Sequence, residues 1–139
     1  MSYGASVALQ TAVYEVLRGS AELNAVVGDA IYDSMPVAAP AGAYVSIGTE
    51  EVRDAGDITG AGSSHDFVVS VLSGTDDAAG FGAIKQAAVA VSDALDGQPL
   101  TLRRGHLVGL WFQRARARRV ENGAGRRIDL TFRARIDLA

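Results

Sequence analysis

The chain has 139 residues, a formal net charge of −3, 48% apolar residues, 6% aromatics and no cysteine. That length accommodates one domain, residues 1–139, with a core of roughly 30–40 side chains drawn mainly from Val, Leu, Ile and Ala. The lack of cysteine excludes a disulfide framework, cysteine zinc sites and thiol chemistry, and no apolar run reaches the roughly 18–20 residues of a membrane span, so a soluble protein without a secretion signal is expected.

The small net charge conceals an asymmetry. Residues 1–100 carry three bases and thirteen acids, whereas residues 101–139 carry ten arginines and three acids, net −10 against net +7. A basic C-terminal third on an acidic body attracts either nucleic acid or the acidic body of another identical subunit.

In chain order, Leu9, Val13, Val16 and Leu17 fall at helical spacing and predict an amphipathic helix over Ser6 to Arg18, closed by Gly19. Ser20 caps a short helical turn through Leu23 and Val27 that stops at Gly28. Ala30 to Ser34 reads as a short strand, Pro36 to Gly42 as a loop, and Tyr44 to Thr49 as a strand. Glu50 to Ser64 is polar and glycine-rich. It cannot bury enough apolar surface to offset its ordering entropy, so it is expected as a mobile loop that orders on a partner, with Glu50, Glu51, Asp54 and Asp57 as its docking acids.

His65 to Ser73 has apolar residues on both sides, as a central strand does. Asp76 or Asp77 caps a second amphipathic helix, in which Phe81, Ile84, Ala88, Val91 and Leu95 repeat before Asp96-Gly97 closes it. Leu100 to Leu102 reads as another short strand.

The strongest pattern is the last one. Leu107 to Leu138 forms a long β-hairpin turning at Asn122-Gly123, and its return arm alternates apolar and polar residues from Ile128 to Leu138. Pairing residues whose numbers sum to 245 puts Gln113 opposite Phe132, Ala115 opposite Leu130, Ala117 opposite Ile128 and Arg116 opposite Asp129. Arg114, Arg116, Arg118, Arg127, Arg133 and Arg135 then share the other face. Near the base this register would expose Val108, Leu110 and Phe112, and a β-bulge around Gln113 would correct that. The sum is an α+β fold: a two-layer sandwich of a largely antiparallel sheet, two helices on one face and a long C-terminal β-hairpin.

Signals for chemistry are weak. Gly80-Phe-Gly82-Ala-Ile-Lys85 sits where a dinucleotide fingerprint would, but Lys85 replaces the last glycine. Ser63-Ser64-His65-Asp66 gathers the residue types of a hydrolase triad without the nucleophile turn that a triad needs. His65 and His106 lie in separate segments and offer no metal-ligand spacing. Trp111 reads as a core or interface anchor. Neither a catalytic site, a metal nor a cofactor is expected.

Several segments taken together carry a resemblance. Ile31-Tyr32-Asp33 with Pro36, Tyr44-Val-Ser-Ile-Gly48, the polar loop with Asp54, His65-Asp-Phe67, Leu72-Ser73, Leu95-Asp96-Gly97, Leu100-Thr-Leu102, Gly105-His-Leu-Val108 and Leu130-Thr-Phe132-Arg-Ala134 form an ordered set over nearly the whole chain. This set resembles the tail-completion or tail-terminator proteins of long-tailed bacteriophages, prophages and gene transfer agents. Ala43, Ala55 and Leu72 depart from residues common there. The resemblance implies a non-enzymatic virion subunit of a homohexameric ring that ends the tail tube. Its partners would be the major tail tube protein, the head-completion or connector protein, and DNA passing through the lumen without sequence specificity. In that setting Arg114, Arg116, Arg118, Arg133 and Arg135 are expected to line the lumen or a neighbouring subunit. The alternative is a nucleic-acid-binding module using the arginine hairpin.

Overall fold

The computed structural model describes residues 3–56, 60–75, 81–120 and 125–138. Its elements are α1 (Ser6–Arg18), α2 (Ala21–Val27), β1 (Ile31–Tyr32), β2 (Tyr44–Asp54), β3 (Gly62–Leu72), α3 (Phe81–Leu95), β4 (His106–Val120) and β5 (Gly125–Asp137). The five strands form one sheet in the order β1-β2-β3-β5-β4, antiparallel except for the short β1–β2 pair.

The α+β sandwich follows from which side chains must leave water. Leu9, Val13 and Leu17 of α1, Leu23 and Val27 of α2, and Ile84, Val91 and Leu95 of α3 are buried in one cluster with Val45, Ile47, Phe67, Val69, Leu130, Phe132 and Ile136 of the sheet. Each such side chain contributes about 1.5–3 kcal/mol by leaving water. Ala87, Ala88 and Ala90 bring α3 close to the strands at little side-chain entropy cost. The segment expected as a helical turn after Ser20 is a seven-residue helix, capped as foreseen: the Ser20 hydroxyl accepts from Leu23 N–H at 3.2 Å. Among the described residues the sandwich therefore has three helices rather than two.

Two expectations need correction. Glu50 to Asp54 is not loop but the outer half of β2, paired residue by residue with Phe67 to Ser63 of β3. A register shift between Ile47 and Glu50 reverses the alternation there, so backbone pairing rather than an apolar stripe makes the strand. Leu100 to Leu102 is not a strand; Leu100 and Leu102 pack against the core from irregular backbone. The expected caps at Asp76 and Asp77, the hairpin turn at Asn122-Gly123, and Asp57 lie outside the described residues.

The hairpin keeps the 245 register from Val120–Gly125 to Arg114–Thr131, including Ala117–Ile128, Ala115–Leu130 and Arg116–Asp129. The bulge falls between Phe112 and Arg114, as the burial pattern required. Phe112, not Gln113, therefore faces Phe132, with the rings edge-on at 5.9 Å. A second shift, between Leu107 and Gly109, keeps Leu107 with Ile136 on the core side. Ala115 and Ala117 are on the expected face yet exposed, because β4 is the sheet's edge.

Candidate assembly surface

The helices cover one face of the sheet; the other is polar and carries the arginines. Alternation places Arg127, Asp129, Thr131, Arg133 and Arg135 of β5 on this open face, with Ser64, Asp66, Val68 and Ser70 of β3 and Arg114, Arg116 and Arg118 of β4 beside them. A concavity of about 710 Å³ lies over it, lined among others by Ser70, Arg114, Arg116, Arg118, Arg127 and Asp129.

Two carboxylates organise the charge. Asp129 Oδ1 accepts from Ser70 Oγ at 2.6 Å and from Arg127 Nε at 2.8 Å, while Oδ2 meets Arg118 at 3.5 Å. Burial alone would raise its pKa, but the bonds from Ser70 and Arg127 and the two guanidinium charges together hold it below the ordinary value. Asp66 is gripped by Arg133 through bonds of 2.8 and 3.1 Å and by Arg53 at 3.1 Å. The Arg133 hydrogen bonds are the main reason its carboxyl is held below the usual range, and the same pair raises Arg133. Arg135 donates to the Ala55 carbonyl at 2.6 Å.

Of the five arginines marked in the sequence, Arg118, Arg133 and Arg135 thus have intrachain acceptors. Arg114 and Arg116 have none among the described residues: Asp129 lies across from Arg116 in the ladder but is engaged by Arg118 and Arg127. Alternation sets Asp66 and Arg133, and Ser70 and Asp129, on one face, but only the pairing of β3 with β5 brings them together as clamps.

The acids expected to dock a partner separate into two roles. Glu51 and Asp54 are exposed on the outer half of β2. Glu50 instead turns to the helical side, where Oε1 accepts from Tyr3 Oη at 2.9 Å and Ser6 Oγ at 2.7 Å, and Oε2 lies 3.1 Å from His65 Nδ1. Burial opposes its ionisation; the bonds from Ser6, His65 and Tyr3 outweigh burial and lower its pKa.

His65 Nε2 in turn lies 2.8 Å from Ser63 Oγ. Because a carboxylate only accepts, the tautomer with its proton on Nδ1 faces Glu50, and in that tautomer Nε2 accepts from Ser63. The Ser–His–Glu chain has the connectivity of a nucleophilic triad with Glu50 as orienting acid, a partner that the adjacency of Ser63, His65 and Asp66 in sequence did not point to. Ser63 and His65 are both 0% exposed. They support Glu50, whose bond from Ser6 ties α1 to the β2–β3 ladder, and cannot meet a substrate without opening it. No group of three or more metal-ligating side chains occurs among the described residues, and none of their helices is long and apolar enough to cross a membrane.

Comparison with known proteins fits a role in assembly. The model of a family described as "Tail completion protein gp17" matches residues 11–137. A solved chain from a structure titled "Virion of native gene transfer agent (GTA) particle" is 60% identical, with a TM-score of 0.89, over 98% of this chain and 99% of that one. No match was found among curated proteins.

Proposed function

Because this chain belongs to the tail completion protein gp17 family, a family of structural virion components, we propose that it is one subunit of a hexameric ring in a phage-like particle. The ring ends the tail tube at its head-proximal side, contacts the tube protein and the head connector, and lets DNA pass through its lumen. Likeness to a chain of a gene transfer agent virion along nearly its full length favours such a particle as the setting.

The observation that carries this reading within the structure is the open face itself. A monomeric protein rarely leaves a 15-residue edge strand with Val108 at 53%, Trp111 at 44% and Phe112 at 38% exposure beside two arginines without intrachain acceptors among the described residues. A partner that buries these residues resolves both features. Identical subunits in a ring meet through two different patches, which suits a chain with an acidic body and a basic hairpin.

Cryo-electron microscopy of intact particles tests the proposal. Six copies at the head-proximal end of the tail tube are expected, and finding the chain only at the distal end would refute it. The nucleic-acid-binding alternative rests on Arg114 and Arg116. It predicts DNA binding by the isolated chain with affinity falling steeply with salt, because each phosphate contact releases counterions.

A further inference from the structure

The sheet has two incompletely covered edges, and their free parts differ in position and charge. On the β2 side, β1 covers the edge only at Val45 and Ser46, leaving the outer side of Thr49 to Asp54 without a strand neighbour among the described residues. On the β4 side, the end of α3 covers the upper edge, where Gly97 N–H donates to the Leu110 carbonyl at 2.8 Å and Phe112 N–H donates to Asp96 Oδ1 at 2.9 Å. From Arg114 to Val120 no backbone group on the outer edge of β4 has a partner among the described residues. One free edge bears Glu51, Arg53 and Asp54, with Arg53 bonded to Asp66 of the same chain at 3.1 Å; the other bears Arg114, Arg116, Arg118 and Arg119.

We infer that these edges pair with each other between copies of the chain, the outer half of β2 adding antiparallel to the tip half of the neighbour's β4. The sheet then continues from subunit to subunit around the ring. This rests on the ring reading above and deepens it by naming the surfaces. The strand directions permit it: β2 and β4 run antiparallel within one sheet, so a neighbour's β2 placed beyond β4 in the same orientation is antiparallel to it.

Facing and charge select the register. Glu51 lies on the open face and Val52 on the core face, as do Arg116 and Ala115 respectively. Setting Glu51 opposite Arg116 places Val52 on Ala115, covers the two alanines that the single chain leaves exposed, and gives Arg116 a carboxylate; Arg53, which then falls across from Arg114, keeps its own acceptor in Asp66 at 3.1 Å. Pairing one β4 edge with another would set arginine against arginine with no acid on either edge and is disfavoured.

The blocked halves also impose a stagger. Within one chain Glu51 is level with Asp66, Arg133 and Trp111, whereas Arg116 is level with Asp129, four residues from Arg133 along β5. At about 3.3 Å per residue the neighbour is displaced by roughly 13 Å along the strands. Each repeat is four strands wide, roughly 19 Å, so the strands tilt by about 35°, at the lower end of the range at which sheets close into barrels.

The chain has no cysteine, so an engineered pair reports the contact directly. In particles carrying Val52→Cys with Ala115→Cys, mild oxidation is expected to give a covalent ladder up to the ring's copy number on a non-reducing gel, with no ladder from either single variant. A complete ring in the particle map without a ladder would overturn the edge pairing while leaving the ring reading intact; absence of the ring from the map would overturn both. A charge exchange is independent of cysteine chemistry. Glu51→Arg and Arg116→Glu should each lower particle yield at least tenfold and the double variant should restore it; no restoration with folded chains would count against the pairing.

Discussion

At the residue scale, three carboxylates hold the polar parts of the sheet, and all three have pKa values lowered by folding. A depressed carboxylate contributes stability that is fully present above its unfolded value, 3.8 for Asp66 and Asp129 and 4.5 for Glu50, and that is lost as pH falls through the folded value. In urea titrations the contribution of these three groups to the unfolding free energy should therefore be fully present above about pH 5.5 and fall below roughly pH 4.5 as they protonate. Asp129→Asn should remove part of that fall and cost about 1–3 kcal/mol at pH 7, because Arg127 and Ser70 lose their charged acceptor. A variant as stable as the parent at pH 7 would show that the cluster is incidental.

His65 supplies a second test at this scale. His65→Phe keeps the ring but leaves Ser63 Oγ without its acceptor and Glu50 without one of its donors, in a site closed to water. A loss of about 2–4 kcal/mol is expected in the same titration. Were the trio catalytic rather than structural, the substitution would leave stability near that of the parent.

At the element scale, the hairpin was readable because the sizes and charges on its two arms exclude all but one alignment. Ala115 and Ala117 can sit beside Leu130 and Ile128, and arginines cannot; that conflict with Leu110 and Phe112 then demands an extra residue near Gln113. The outer half of β2 was not readable for the same kind of reason. Its bulge between Ile47 and Glu50 reverses the alternation, and the partners of Glu50 come from Tyr3, Ser6 and His65, remote in sequence. Its polar composition therefore has the signature of a loop although its backbone is paired. Of the surface, the location of the arginines was legible, but which of them are neutralised was not, since that depends on Asp66 and Asp129 finding neighbours across strands.

The bulge makes a prediction of its own. Deleting Gln113 joins Phe112, on the core face, directly to Arg114, on the open face, and gives a regular ladder from Gly109 to Val120 in which the remaining side chains keep their sides. The deletion should cost less than about 1 kcal/mol in denaturant titrations, far below a core defect. A loss above about 3 kcal/mol would mean that the register around the bulge is not as described.

At the scale of the whole molecule, the proposed assembly surface is also a face that the fold itself uses, and the two roles can be separated by comparing two arginines. Arg133 is held to Asp66, so Arg133→Glu breaks two hydrogen bonds and sets like charges together; the isolated chain should lose stability as well as assembly. Arg116 is exposed and has no intrachain acceptor among the described residues, so Arg116→Glu should change the stability of the isolated chain by no more than about 0.5 kcal/mol. If the open edge is an interface, that substitution should nevertheless sharply reduce the number of complete particles, because it places a carboxylate where a neighbouring acid would lie. Thermal unfolding of the purified chain and particle counts from the same variants measure the two effects separately. Normal particle yield with Arg116→Glu would remove this arginine from the assembly surface, whereas low yield with a parent-like melting temperature would locate its role between subunits.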